Sequence, residues 1–183
     1  MEAKLKVITI GDYSISILKN YFKDNENIEF LKLALDESIE NLNTNFSKRD
    51  IVFLQTNTEN LENLLEAGKA LKEKEIITLT VLEEKIVMEN RKVLEETINA
   101  IFPVNKKDDI NNLLLELIKM IENIIYGVCF INLDIEDIKS ILRDSGISVF
   151  GSLNINKTIS KEEIIKNITY PFYSKTLKDS KKF

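Results

Sequence analysis

The 183-residue chain contains no histidine and no tryptophan, one cysteine, two prolines and five glycines. Without histidine there is no Ser-His-Asp or Cys-His catalysis, no imidazole general base and no ordinary zinc site. A single cysteine excludes an intrachain disulfide, and Cys129 sits in the apolar run VCFI, where it reads as a small buried hydrophobe rather than a nucleophile. Long apolar runs are missing too. The first, in MEAKLKVITIGD, covers four residues before Gly11 and Asp12, far short of a signal segment or a membrane span. The expectation is a cytoplasmic protein with no integral membrane segment. Basic charge is scarce, with 25 Lys and Arg against 30 Asp and Glu and a net charge of −5, so no clustered basic face is available for duplex nucleic acid. Only the tail SKTLKDSKKF is locally basic; Lys175, Lys178, Lys181 and Lys182 read as a solvated terminus or as a contact for an acidic partner or membrane surface.

What is present is a 44% hydrophobic composition, enough for the core of one ordinary domain or of one domain with a small appendage. The β-branched runs KLKVITI (4–10) and IVFLQ (51–55) predict strands, as do IEFLKLAL (28–35) and IITLTVL (76–82). Helical spacing fills the intervals: Ile17, Leu18, Tyr21 and Phe22; Ile39 and Leu42; and Leu61, Leu64, Leu65, Gly68 and Leu71 behind a Thr56-to-Glu59 capping box. Such alternation predicts a doubly wound, mainly parallel α/β sheet, whose ligands sit by default at the carboxyl ends of the strands. A helix over 91–100 and an apolar stretch AIFPV lead to a long helix with Ile110, Leu113, Leu114, Leu117, Ile118, Ile121, Ile124 and Ile125 at helical spacing. Asp108 or Asp109 starts it and Gly127 ends it. Beyond lie a helix over 134–143, a strand-like ISVFGSLNI (147–155), and a helix over 161–169 opened by Ser160 and Glu163.

INLDIEDIKSIL (131–142) sets Asn132, Asp134 and Asp137 at the mouth of a short amphipathic helix. Two carboxylates three residues apart could hold a water or a metal, or could cap the helix. With the order of elements and SGISVFGS further on, this N-x-D-x-x-D pattern resembles the FtsZ family of tubulin-related cell-division GTPases. The resemblance implies a Rossmann-like nucleotide-binding-type domain (1–107), a core helix and loop (108–133) and a truncated second-domain segment (134–183), with 128–133 a loop rather than a strand. In the family that loop enters the nucleotide site of the next subunit, so Asp134 and Asp137 would act in trans on the attacking water. A pair kept for a partner would leave Asp137 exposed on the face of Asn132.

The departures matter as much. The family's glycine cluster, which lets backbone N–H groups cradle phosphates, is replaced by LQTNTENLENLL, and GDYSIS keeps Gly11 alone, followed by the negative Asp12. By the resemblance Glu89 in MENRKV is the ribose contact, with Val93 where the family has arginine; Asn105 is a further polar contact, and Asn112 replaces the guanine-reading aspartate, at a cost on the order of 1 to 3 kcal/mol in discrimination. No cofactor is expected from these departures, with GTP the one candidate the resemblance leaves. The resemblance implies a degenerate FtsZ-like interaction module whose partner is full-length FtsZ, with self-pairing through the shortened C-terminal segment as a further consequence. The alternatives are a generic α/β interaction domain with an unrelated partner, and a weak GTP-binding GTPase.

Overall fold

The computed structural model describes residues 4–42, 44–127, 134–151, 160 and 162–163. Six parallel strands form one sheet: β1 (Leu5–Ile10), β2 (Ile28–Leu33), β3 (Ile51–Thr56), β4 (Ile77–Glu83), β5 (Ala100–Val104) and β6 (Gly146–Ile147), in the order β2-β1-β3-β4-β5-β6. Among the described residues these are accompanied by α1 (Ser16–Tyr21), α2 (Leu61–Glu73), α3 (Glu84–Glu89), α4 (Arg91–Thr97), α5 (Ile110–Tyr126) and α6 (Ile135–Leu142).

The strands are apolar throughout because the sheet is covered on both faces. Val7, Phe53, Leu79 and Phe102 point to one face, where Leu18 of α1, Leu113, Leu117 and Ile121 of α5, and Ile138 of α6 meet them. Ile8, Leu54 and Ile101 point to the other, against Leu64 and Leu71 of α2 and Leu94 of α4. The expected doubly wound α/β fold is the observed one. The strand order reverses between β1 and β3, so the crevice that such folds offer to ligands lies at the carboxyl ends of those two strands.

Several local expectations change. AIFPV is not a connecting stretch but strand β5; Pro103 is accommodated because β6 pairs only with Ala100 and Ile101, leaving the rest of β5 an edge where a missing N–H costs little. Ile39 and Leu42 belong to no α-helix; a single 3-10 turn, Ile39–Asn41, carries the chain over. The helix expected over 91–100 ends at Thr97 because Ile98 turns extended and Asn99 feeds β5. Thr56 caps nothing: it is the last residue of β3, its hydroxyl donates to the Ile10 carbonyl at 3.4 Å, and a 3-10 turn, Thr58–Asn60, precedes α2.

Asp109 and Gly127 do flank α5, and Ser160 and Glu163 exchange the reciprocal bonds of a capping box. The segment assigned by resemblance to a second domain contributes β6 to the main sheet and α6 to the cover of one face. Of the strand expected over 147–155, Ile147 alone falls in β6; the rest of that stretch to Gly151 is not strand, and 152–155 lie outside the described residues, as do 128–133 with Cys129 and Asn132, most of the 161–169 helix and the basic tail.

Candidate functional site at the carboxyl edge

Gly11 leaves β1 with φ +67°, a conformation that side chains with a Cβ seldom adopt. Its N–H donates to the Leu33 carbonyl at 2.9 Å. The space above it is taken: a Cβ placed there would meet the Asn60 amide nitrogen at 2.9 Å and Leu35 at 3.1 Å. The side chains that follow β2 and β3 therefore fold over the point where a phosphate-binding turn would need bare backbone.

Beside this point the sheet parts. β3 and β4 pair only from Ile51–Ile77 to Phe53–Leu79, although both continue. The fully buried Gln55 side chain bridges the gap: its amide nitrogen donates to the Val81 carbonyl at 2.7 Å, and its oxygen accepts from the Val81 N–H at 3.1 Å and the Thr80 hydroxyl at 3.3 Å. A side-chain amide here does the work of a peptide group in the ladder. Over it lies Tyr13, whose hydroxyl donates to Asn111 Oδ1 at 3.0 Å, while the Asn111 amide donates to the Ser14 carbonyl at 3.4 Å. Burial pushes the Tyr13 phenol above its ordinary range, partly offset by its hydrogen bond with Gln55. The loop after β1 is thereby fastened to the start of α5. Gln55 was visible in the sequence as a lone amide closing an apolar strand, and Tyr13 as an aromatic two residues past Gly11; Asn60 and Asn111 carried no such signal.

The segments leaving β1 to β4 carry Asp12, Asp36, Glu37, Glu59 and Glu84, and Lys106 and Lys107 follow β5 at the same edge. Asp12 pairs with Lys32 at 3.0 Å, and Glu37 accepts the Ala34 N–H at 3.1 Å. Asn105, just past β5, and Asn112, in the first turn of α5, are both exposed at this edge. Glu89 ends α3, exposed and 3.9 Å from Lys85. Among the described residues no group of three or more Asp, Glu, His or Cys side chains could hold a metal ion.

Asp134 is the N-cap of α6. Its Oδ1 accepts the N–H groups of Glu136 at 2.9 Å and Asp137 at 3.0 Å, and Asp137 Oδ2 accepts the Asp134 N–H at 3.0 Å. Asp137 is exposed as expected, but it is not left unengaged: both carboxylates serve the reciprocal capping box.

The chain matches no protein-family model and no curated protein. Any kinship with FtsZ thus rests on the N-x-D-x-x-D spacing and the order of elements. No helix among the described residues is long and apolar enough to cross a membrane.

Proposed function

We propose that the protein is an interaction module built on a nucleotide-binding type of scaffold, which neither holds nor hydrolyses a nucleotide. The reading rests on Gly11, where Asn60 and Leu35 crowd the turn leaving β1 within contact distance of a Cβ. The acidic loops around that point support the same reading. Equilibrium binding to GTP, GDP and ATP tests it: no saturable binding is expected at concentrations approaching millimolar, and tight GTP binding would overturn it.

The N-x-D-x-x-D spacing supports an FtsZ filament as the partner, contacted through Asn132, Asp134 and Asp137. Light scattering of FtsZ assembly is then altered by the wild-type protein and unaffected by Asp137→Ala, whose own folding stability falls by less than about 1 kcal/mol. The reciprocal bonds between Asp134 and Asp137 favour a second reading, an α/β interaction domain with another partner. If FtsZ assembly ignores the wild-type protein, the pair belongs to helix initiation alone.

A further inference from the structure

We draw no further inference here: the strongest candidate, the open cleft between α1 and α5 at the amino edge of the sheet, already holds its own cation, the Lys119 ammonium 5.2 Å from the centre of the Tyr21 ring, its carboxylate Asp24 is paired with Lys23, and nothing in the structure shows what else would fill it.

Discussion

The two edges of the sheet are held by different chemistry. At the carboxyl edge the interlocking polar groups are neutral, the buried Gln55 and the half-buried Tyr13 and Asn111, and they close the space between strands and loops. At the amino edge a charged cluster is buried, alongside the neutral pair Thr78 and Asn99. Lys6, 3% exposed in β1, bonds the Glu29 carboxylate and the Thr44 hydroxyl and lies 3.9 Å from Asp50, which is itself buried and receives the N–H groups of Lys4 and Ser47. This edge also carries the open cleft between α1 and α5. The edge that doubly wound folds offer to ligands is here crowded by Gln55, Asn60 and Leu35, while the opposite edge carries an open cleft. Fold alone does not assign a site; the side chains at each edge decide it.

The largest expected effect tests the charged edge. Lys6→Met leaves the buried Asp50 and Glu29 without their cation and should cost about 3 kcal/mol in urea unfolding, since removing one partner of a buried ion pair strands the other. A cost near zero would mean that backbone donors suffice for Asp50 and that the amino edge is no more ionic than the other.

Next is Gly11→Ala, which should cost about 2 kcal/mol, combining left-handed backbone strain with displacement of Asn60. In an Asn60→Ala background the penalty should shrink to the backbone part. If it does not, the carboxyl edge is more open than its packing indicates. Tyr13→Phe removes the hydroxyl bonded to Asn111 and should cost ~1 kcal/mol, together with faster amide exchange in residues 11–15.

The smallest effect concerns acid. Burial pushes the Glu29 carboxyl up, but hydrogen bonds from Lys6 and Thr44 and the Lys6 charge outweigh it and hold Glu29 below its ordinary value. A carboxyl depressed in the folded state adds stability above its unfolded pKa, about 4.3, and loses it as pH falls through the folded value. Stability should therefore drop on acidification below about pH 4, and Glu29→Gln should flatten that drop.

Legibility from sequence followed the range of the interactions. The strands around Val7 and Phe53 were readable because both faces are buried and the residues are β-branched, and α5 because its apolar residues keep helical spacing between Asp109 and Gly127. Strand β5 was not, since Pro103 in a five-residue run argues for a connection until its edge position is known. At the carboxyl edge Gly11 and Asp12 could be read as a poor phosphate turn, but the closure by Asn60 depends on two loops meeting. The cleft was invisible: Asn25 and Glu122 lie 97 residues apart, and no local pattern links them. The Asp134–Asp137 pair was ambiguous because a cap and a contact loop demand the same residues; only the direction of Asp137 Oδ2 distinguishes their engagement in capping.

Helix α5 is fastened at its start to Tyr13 and near its end to Asn25, both in the first βαβ unit. With 17 residues it is a strut of roughly 25 Å, at about 1.5 Å per residue. Until it is synthesised, the face bearing Val7, Phe53, Leu79 and Phe102 lacks its main cover. A nascent chain of residues 1–107 would thus cover that sheet face with α1 alone, and folding would be completed by a late, long-range closure.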